Sequence, residues 1–359
     1  MFFKISFILL ILIKIIYSST LTDIEKLANA KKLIEKINLE AKGWKAKLHE
    51  RFAKMDDKHL KLLGAKLDKN LIQSLPPKNL TKRNINEENN NNNNNNRRKR
   101  QATCTDNVAF DARTAFPSCA DIIGSIQDQS SCGDCWAVSV ASAFTDRYCI
   151  ENEKVGNPPA SDDPTARFSA IDLASCTPNT SGCGGGDPYR AWLWTKQTDN
   201  TWATGCEPYP FPPHADANYT VPSCSSSCTT NWNTNFSTDK RFSVWTGFLQ
   251  GPGNNAAMQN EIRANGSVVA AFDVYDDFFH YSSGIYSHTP SAIYKGGHAV
   301  RVIGWGTQTC SDGTSTDYWL AANQWNTDWG LQGYFKIVRG TDECGFETKE
   351  ISFGTPNIN

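Results

Sequence analysis

The sequence predicts an α+β protein of two subdomains with a cleft between them, preceded by a leader that is later removed. Its 359 residues exceed what one compact core usually holds, so two domains or one domain with removable segments are expected. Beyond residue 100 a helical pattern comes first, roughly over 136–152, and β-type runs follow after about residue 242. Helices first and sheet second are typical of α+β folds with a cleft between the two parts.

Charge divides the chain at the same point. Residues 1–100 carry 22 Lys and Arg against 10 Asp and Glu, and residues 101–359 carry 14 against 27. A leader of +12 (22 − 10) therefore precedes a body of −13 (14 − 27), and an acidic body argues against nucleic acid as its partner. We expect the two parts to attract each other at neutral pH and less strongly as carboxylates are protonated near pH ~4.

Residues 1–18 have the layout of a cleaved secretory signal peptide. Lys4 precedes an apolar run that ends in small residues, and about 15 apolar positions are few for a membrane span. Lys14 interrupts the run, and an uncleaved anchor is the less favoured alternative. We therefore predict a protein of the secretory pathway, lysosomal or extracellular, with no membrane contact after signal removal.

Cysteines and sequons agree with that route. All 12 cysteines lie at or beyond Cys104, and in an oxidising compartment most of them should form disulfides. Sequons also arise by chance, so they only support the signal peptide. The candidate glycosylation sites are Asn79, Asn179, Asn218, Asn235 and Asn265.

Residues 19–100 are predicted to form a propeptide-like leader with a helical part and a flexible tether. Apolar residues recur at helical spacing over about 21–69, which indicates two or three amphipathic helices. The tract Asn89–Asn96 has no apolar side chains to offset its ordering entropy, so it should be exposed. The basic run that follows ends at Arg100, and we favour cleavage there over a merely solvated charge run.

The segment Gln129-Ser-Ser-Cys132-Gly-Asp-Cys135-Trp136-Ala is the most informative one. A Cys-x-x-Cys pair can be a redox centre or half of a zinc site, but the first needs a βαβ context and the second another ligand pair, and neither is evident. A third interpretation places Cys135 at the start of the predicted helix, where the dipole and free N–H groups favour thiolate. A thiolate beside an imidazolium is an activated nucleophile.

A nucleophile of this kind needs a histidine and an acceptor that orients it. Residues 101–359 offer four histidines, and His298 stands out because glycines precede it and an apolar strand follows it. Asn323 is a suitable acceptor, since it lies between a predicted strand and two tryptophans that can shield a hydrogen bond from water. The other histidines are His214, His280 and His288.

These segments resemble the papain family of cysteine proteases, and its cathepsin B-like members in particular, throughout residues 101–359. The resemblance implies a papain-like fold, with a helical left subdomain and a β-barrel-like right subdomain, made as an inhibited zymogen. The matching runs of the body are Ser175-Cys176, Cys183-Gly184-Gly185-Gly186, Gly296-Gly297-His298-Ala299-Val300-Arg301 and Asn323-Gln324-Trp325-Asn326-Thr327-Asp328-Trp329-Gly330. Those of the leader are Ile37-Asn38, Gly43-Trp44-Lys45-Ala46 and Leu60-Lys61-Leu62-Leu63-Gly64.

The resemblance implies a cysteine-type endopeptidase that works through an acyl-enzyme. Cys135 becomes the nucleophile, His298 the acid/base and Asn323 the residue that orients it. Gln129 would give its side-chain amide to the oxyanion hole, together with the Cys135 main-chain N–H. The expected partners are protein or peptide substrates and the leader as inhibitor; the enzyme is expected to be a monomer that needs no metal or cofactor.

The resemblance extends to the cleft and the disulfides. Trp325 would cover the bond between Asn323 and His298, while the cleft would be lined by Gly185, Gly186 and Gly297. The implied disulfides are Cys119–Cys149, Cys132–Cys183, Cys176–Cys224 and Cys206–Cys228. Cys104, Cys310 and Cys344 remain, so at least one of these is a free thiol or forms an intermolecular bond.

Two residues depart from the family pattern near the site. Asp134 replaces the usual Ser or Ala before Cys135; it either raises the pKa of the thiol or points into solvent, and solvent is the commoner outcome. Lys349 falls where cathepsin B has a glutamate at the base of a substrate pocket. Its ammonium either faces that pocket or turns to solvent or to Glu347 or Glu350.

The insertion that in cathepsin B forms the occluding loop is also altered. Between Cys206 and Cys224 the run is short, lacks the cysteines of the loop's own disulfide and has one histidine, His214, with Asp216-Ala217 where a histidine pair would fall. Carboxydipeptidase activity is therefore doubtful. A catalytically weak, cathepsin B-like secreted binding protein is the alternative to an active endopeptidase, and a disulfide-rich binding module unrelated to proteases is a third interpretation that leaves the leader unexplained.

Overall fold

The computed structural model describes residues 22–64, 103–197, 205–232 and 239–358. The predicted signal peptide, the asparagine tract, the basic processing site and the sequons at Asn79 and Asn235 lie outside these residues. Within the described ranges, no helix is long and apolar enough to cross a membrane.

The described chain alternates short helices with the strands of a large sheet. The helices are α1 (22–40), α2 (Glu50–Lys54), α3 (Asp57–Leu63), α4 (Ala112–Ala115), α5 (Ala120–Ile123), α6 (Cys135–Lys154), α7 (Ala170–Cys176), α8 (Pro188–Gln197) and α9 (Asn255–Asn265). The strands are β1 (Trp44–Ala46), β2 (Cys104–Asp111), β3 (Ser243–Leu249), β4 (Val268–Tyr275), β5 (Tyr281–Tyr286), β6 (Tyr294–Cys310), β7 (Ser315–Ala322), β8 (Tyr334–Val338) and β9 (Glu350–Pro356).

The sheet follows the order β1-β5-β8-β7-β6-β4-β9-β3, with β2 beside β6. One buried cluster centres on α6, α7 and α8, with Trp136 and Trp192, and another lies on the sheet, with Phe272, Trp319 and Phe335. The predicted α+β class is confirmed, but the division along the sequence is less strict than predicted. Strand β2 precedes the helices of residues 101–359 and still joins the sheet, and helix α9 lies between two strands of the β-rich half.

Helix α6 connects the helical part to the sheet through a buried ion pair. Arg301 of β6 donates to Asp146 of α6 at 2.5 Å, and the Ser267 hydroxyl donates to the other carboxylate oxygen at 2.7 Å. Both charged side chains are buried. Removing one partner of a buried pair leaves an uncompensated charge and costs about 3–5 kcal/mol. The pair therefore fixes α6 against the strand that also carries His298.

Five disulfides are present in the described chain. Four of them join the pairs that the family resemblance implies: Cys119–Cys149, Cys132–Cys183, Cys176–Cys224 and Cys206–Cys228. The fifth joins Cys104 to Cys310, which are register partners in β2 and β6. Cys344 keeps a thiol. The structure thus assigns the three cysteines that the sequence left open.

The leader adds a strand to the edge of the sheet. Strand β1 pairs antiparallel with β5 and places Trp44 opposite Gly284. Gly284 has a φ of +89°, and a Cβ there would lie 2.2 Å from the Gly43 carbonyl oxygen and 2.6 Å from the Trp44 Cα. Only glycine allows this approach. The predicted leader helices are present as α1, α2 and α3, but a strand of 3 residues is too short to show a periodic pattern.

Buried aromatic side chains anchor the leader on the body. Trp44 is 2% exposed, and its ring centroid lies 5.1 Å from that of Tyr286. Phe52 is 4% exposed, and its ring centroid lies 5.6 Å from Phe279 and 5.3 Å from Trp325. Burying one such side chain contributes roughly 1.5–3 kcal/mol. Apolar docking is therefore a major source of leader affinity.

Ion pairs between leader and body have both polarities. Arg51 of the leader pairs with Asp128 at 3.3 Å, whereas Asp57 of the leader pairs with Lys295 at 2.6 Å. The docked residues 22–64 carry 11 Lys and Arg against 7 Asp and Glu, so only +4 (11 − 7) of the leader's +12 lies on them. Release by loss of overall charge attraction stays a prediction, and the structure offers a second source of acid sensitivity.

Two histidines meet in the apolar interface. His49 of the leader donates from Nε2 to the Tyr281 carbonyl at 3.1 Å, and His49 and His280 are both buried. Burial lowers the pKa of each imidazole to about 4, and the neighbouring His49 lowers that of His280 further. A histidine whose pKa is depressed by docking opposes docking as the pH falls from its free value near 6.5 toward 4. The docked leader should therefore weaken over that range.

We predict that His49→Gln makes the leader less sensitive to acid. Glutamine keeps a donor for the Tyr281 carbonyl but cannot be protonated, so the variant avoids about 2 kcal/mol of weakening between pH 7 and pH ~4.5. The measurement is the inhibition constant of a leader peptide spanning residues 22–64, added to processed enzyme at both pH values and at low and high salt. Identical pH profiles for both peptides, together with strong salt dependence, would show that overall charge governs release instead.

Candidate active site

Cys135 is the first residue of α6 and is buried. The turn before it is fixed by the Cys132–Cys183 disulfide and by the Gly133 N–H, which donates to the Cys183 carbonyl at 2.9 Å. A Cβ at Gly133 would lie 2.4 Å from that oxygen, so glycine is required there. The turn therefore fixes Cys135 at the N-terminus of the helix, where the dipole favours a thiolate.

His298 lies in β6 opposite Phe272 of β4 and is buried. Its Nε2 lies 2.8 Å from Asn323 Oδ1, so Nε2 donates and Nδ1 is the nitrogen that can exchange a proton. Trp325, also buried, stacks on the imidazole with ring centroids 4.9 Å apart and planes 27° apart. The tryptophan thus packs on the face of the histidine that Asn323 holds; its covering of the bond between His298 and Asn323 stays a prediction.

Gln129 is tied to the same part of the sheet. Its main-chain N–H donates to the Gln324 carbonyl at 2.9 Å, and the Gln324 side chain donates to the Ala299 carbonyl at 2.7 Å. Gln129 Nε2 donates to the Cys132 carbonyl at 2.8 Å. An amide nitrogen carries two hydrogens, so a second one remains for another acceptor. Ala299, the residue after His298, shares a buried cluster with Cys135, so α6 packs against the strand of His298 there.

The end of the leader crosses this junction. A Cβ at Gly133 would lie 2.6 Å from the Leu62 carbonyl oxygen, and a Cβ at Gly296 would lie 2.5 Å from the Gly64 carbonyl oxygen. Leu62 and Gly64 thus touch opposite walls of the cleft, and the buried Leu63 lies between them in sequence. The leader main chain occupies the space between the nucleophile's turn and the strand of His298.

Burial lowers the pKa of His298 to about 4, and the hydrogen bonds with Asn323 and the Leu63 main chain oppose this shift only in part. The imidazole is therefore neutral above that pH in the full chain. A neutral imidazole gives no charge stabilisation to a thiolate. The docked leader thus favours the uncharged state of the histidine.

The three glycines expected to line the cleft differ in their conformation and in the residues that they contact. Gly185 has a φ of +121°, a conformation that L side chains rarely adopt, and a Cβ at Gly186 would lie 2.4 Å from the Trp136 ring. Gly297 contacts the leader, because a Cβ at Gly64 would lie 3.3 Å from its carbonyl oxygen. Gly297 is thus placed against the chain that fills the cleft, and Gly186 is required by packing beside the nucleophile.

The expectation that Asp134 points into solvent is wrong. The side chain is fully buried, and its Oδ2 lies 2.8 Å from the Tyr209 hydroxyl. The reason is that Tyr209, in the 205–232 segment, reaches the N-terminus of α6 and closes the site. Burial raises the pKa of Asp134 to about 8, so the carboxyl is neutral at acidic and neutral pH.

Lys349 has a partner that the sequence did not suggest. It pairs with Asp273 of β4 and not with Glu347 or Glu350. Glu347 is held by the Trp319 indole N–H at 3.0 Å, and Glu350 accepts a main-chain N–H at 2.9 Å, so both carboxylates are oriented elsewhere. The ammonium is therefore balanced by a carboxylate across two neighbouring strands.

The segment at the position of the occluding loop contacts the leader. His214 is 40% exposed and lies 3.5 Å from Arg51, while Asp216 lies 3.4 Å from His59 Nδ1. His214 is also held by the body, because its main-chain N–H donates to Asp128 at 3.1 Å and its Nε2 lies 3.9 Å from Asp128 and 4.0 Å from Asp328. Departure of the leader therefore removes the contacts with Arg51 and His59 and leaves those with the body.

Three predicted sequons lie within the described residues. Asn179 and Asn218 are exposed, and Asn218 Oδ1 lies 3.2 Å from His59 of the leader. Asn265 is partly buried, and its amide nitrogen donates to Glu261 at 3.0 Å. Asn179 and Asn218 are thus accessible to a glycan, which stays a prediction.

One cluster was missed by the sequence analysis. His288 Nδ1 lies 2.6 Å from Glu343 Oε1, and Cys344 Sγ lies 3.2 Å from the same oxygen. Burial and the Glu343 carboxylate raise the pKa of the Cys344 thiol, which therefore stays protonated and donates to Glu343. Histidine, glutamate and cysteine are residue types that bind zinc in proteins. Because His288 lies 55 residues from Glu343, the sequence shows no ligand motif here.

Comparison with known proteins decides the family. The pattern of the "Papain family cysteine protease" matches residues 107–353 of this chain. The chain belongs to the papain family of cysteine proteases. It is a cysteine-type peptidase with the papain-like fold that its sequence predicted.

Its relatives within that family are cathepsin B-like. The chain is 36% identical to a cathepsin B-like cysteine proteinase of Schistosoma japonicum over 328 residues, which are 86% of each chain. It is 41% identical to a gut-specific cysteine proteinase of Caenorhabditis elegans, over 68% of this chain and 72% of the other. Among solved structures, procathepsin B S9 from Trypanosoma congolense matches with a TM-score of 0.69 and 33% identity, covering 91% of this chain and 98% of the other. This papain-family chain is thus similar to a zymogen along its leader as well.

We predict that the ion pair between Lys349 and Asp273 slows cleavage of substrates that have arginine as the second residue before the scissile bond. An arginine there would have to lose water without a free counter-ion, so kcat/KM for an Arg-Arg substrate should be at least about tenfold below that for Phe-Arg, an activation difference of about 1.4 kcal/mol. Lys349→Glu should raise the Arg-Arg value and leave Phe-Arg nearly unchanged. Glu-Arg, the third substrate, should gain nothing while Asp273 holds the ammonium. Efficient Arg-Arg cleavage by the unaltered enzyme would contradict the assignment of Lys349 to this pocket.

Proposed function

We propose that this papain-family peptidase is an endopeptidase that attacks peptide bonds with the Cys135 thiolate and is made as a zymogen inhibited by its own leader. The observation that carries the proposal is the junction of α6 with the sheet. There α6, which begins with Cys135, packs against the strand that carries His298, and the leader main chain lies against Gly133 on one side and Gly296 on the other.

Activation begins with the departure of the leader. Residues 22–64 then no longer bury His298, so the pKa of its imidazole rises toward the ordinary value. The Cys135 thiol gives its proton to His298 Nδ1, and the helix dipole stabilises the resulting thiolate. Asn323 holds the ring in position by accepting from Nε2–H.

The thiolate of Cys135 then attacks the carbonyl carbon of the scissile bond. The Cys135 main-chain N–H and the second hydrogen of the Gln129 amide donate to the oxyanion. The His298 imidazolium gives its proton to the leaving amine as the C–N bond breaks, which leaves a thioester. Water attacks the thioester with His298 as base, the acid departs and the thiol is restored.

The leader also indicates how a substrate lies in the cleft. Its residues Leu62 to Gly64 contact the Gly133 turn on one wall and Gly296-Gly297 on the other. A peptide in extended form reaches the same main-chain groups and can use them for hydrogen bonds. We propose that substrates occupy this path once the leader has left.

The shortened segment between Cys206 and Cys224 favours internal cleavage over removal of C-terminal dipeptides. A site that grips a substrate carboxylate needs donors in fixed positions. His214 keeps a main-chain hydrogen bond to Asp128, but its imidazole is 40% exposed, loses the contact with the leader's Arg51 on activation and has no second histidine in the segment to pair with. We therefore propose little carboxydipeptidase activity.

The route through the cell and the assembly state are further parts of the proposal. Five disulfides favour an oxidising compartment, so the protein is assigned to the secretory pathway, in lysosomes or outside the cell. The mature enzyme works as a monomer and without a cofactor, since the catalytic residues proposed here all belong to one chain.

We predict that Cys135→Ala and His298→Ala each abolish turnover, because the thiolate–imidazolium pair acts as a unit. Mass spectrometry of a long peptide after digestion should show internal fragments with the processed unaltered protein and none with either variant. Circular dichroism of the variants serves as the folding control. Substantial hydrolysis by pure Cys135→Ala protein would exclude Cys135 as nucleophile, and successive loss of C-terminal dipeptides would contradict the endopeptidase mode.

A further inference from the structure

Asp134 and Tyr209 form a buried polar pair directly beside the proposed nucleophile. Asp134 precedes Cys135 at the N-cap position of α6, yet its side chain makes no capping bond to the helix. Its Oδ2 lies 2.8 Å from the Tyr209 hydroxyl oxygen, which in turn lies 3.0 Å from the Gln129 carbonyl oxygen. A chain of three oxygens thus joins the residue before the nucleophile to the residue proposed for the oxyanion hole.

The number of hydrogens in this chain determines the protonation state of Asp134. The Tyr209 hydroxyl has one hydrogen and faces two acceptors if Asp134 is ionised, so one acceptor would lack a donor. If Asp134 is protonated, its O–H donates to Tyr209, and the Tyr209 O–H donates to the Gln129 carbonyl. Every contact is then a hydrogen bond, and a buried polar group is costly without one.

The second carboxyl oxygen supports the same state. Within the part of the chain that the structure describes, Asp134 Oδ1 is buried and accepts no hydrogen bond from another residue; the main-chain N–H of Asp134 itself acts on the carboxyl and lowers its pKa, but burial outweighs that effect. An ionised carboxylate would place about half its charge on this oxygen, which is costly in a buried site. The other titratable groups that act on the pair are Asp128 and Cys135, which are negative when ionised, and in the full chain the leader's Arg51 balances Asp128 at 3.3 Å. Burial also raises the pKa of Asp134 to about 8.

We infer that Asp134 is a positioning residue for the proposed hydrolysis: it holds a proton and, through Tyr209, fixes the Gln129 main chain that carries the oxyanion donor. This role rests on the proposed function. The neutral carboxyl also keeps a negative charge away from the Cys135 thiolate. A serine or alanine at this position is too short to form the same relay with Tyr209.

The protonation state can be measured without any turnover. Infrared difference spectra between the full-length chain and its Asp134→Asn variant at pH 6 should show the C=O stretch of a protonated carboxyl in the unaltered chain only. The band should shift in Tyr209→Phe, which removes the hydroxyl partner. Absence of the band at pH 6 would overturn the inference even if the protein proves to be an active peptidase, and its presence would support the inference even in an inactive chain.

Kinetics of the processed variants test the positioning role. Asparagine can donate from its amide to Tyr209 as the protonated acid does, so Asp134→Asn should keep kcat within about threefold and extend activity to higher pH. Asp134→Ala and Tyr209→Phe break the relay and should lower kcat about tenfold or more while KM stays within about threefold, because the oxyanion donor is displaced. A tenfold loss in Asp134→Asn would show that an anion is needed. Unchanged kcat and pH profile in Tyr209→Phe would show that the relay has no role.

Discussion

The buried ion pair between Asp146 of α6 and Arg301 of β6 is the contact on which the site depends. It lies in the interface between the helical part and the sheet, and one of its members is three residues from His298. The nucleophile begins the helix and the histidine lies on the strand, so neither element alone makes a site. Packing of α6 against β6 brings the helix of Cys135 and the strand of His298 to one junction. The Gln129 loop is joined to it through Gln324. Because a buried pair fixes geometry even where it adds little net stability, it is well suited to holding a catalytic arrangement.

The leader uses the same junction in a different way. It is held by apolar rings at the sheet edge and ends in a main-chain segment that touches both walls of the cleft. That segment buries His298, and the lowered pKa of the imidazole keeps the neutral state. The proposed inhibition is therefore steric, with a contribution from the neutral state of the histidine. The buried His49 and His280 would connect leader docking to acid, because burial lowers the pKa of both imidazoles.

Much of the fold and of the candidate site could be predicted from the sequence, because these features depend on local patterns of residues. The helix after Cys135, the strands around His298 and Asn323, and the fold class all follow from residue spacing. What failed depends on contacts between distant segments. Asp134 is buried because Tyr209, 75 residues away, reaches it, and Lys349 pairs with Asp273, 76 residues away. Strand β1 can pair with β5 because residue 284 is a glycine, which leaves room for the leader main chain. The residues His288, Glu343 and Cys344 form a cluster without a characteristic spacing in the sequence.

Cys135 is proposed to be a reactive thiol that the leader covers. The most direct test of this proposal is the stoichiometry of Cys135 labelling by an active-site thiol alkylator, followed by peptide mass spectrometry, before and after removal of the leader at pH 6. We predict little labelling of the full chain and about one label per molecule, at Cys135, in the processed protein. Cys344 serves as the internal reference, because burial and Glu343 raise the pKa of its thiol in the full chain. Equal labelling of Cys135 before and after processing, or no labelling of the folded processed protein, would contradict it.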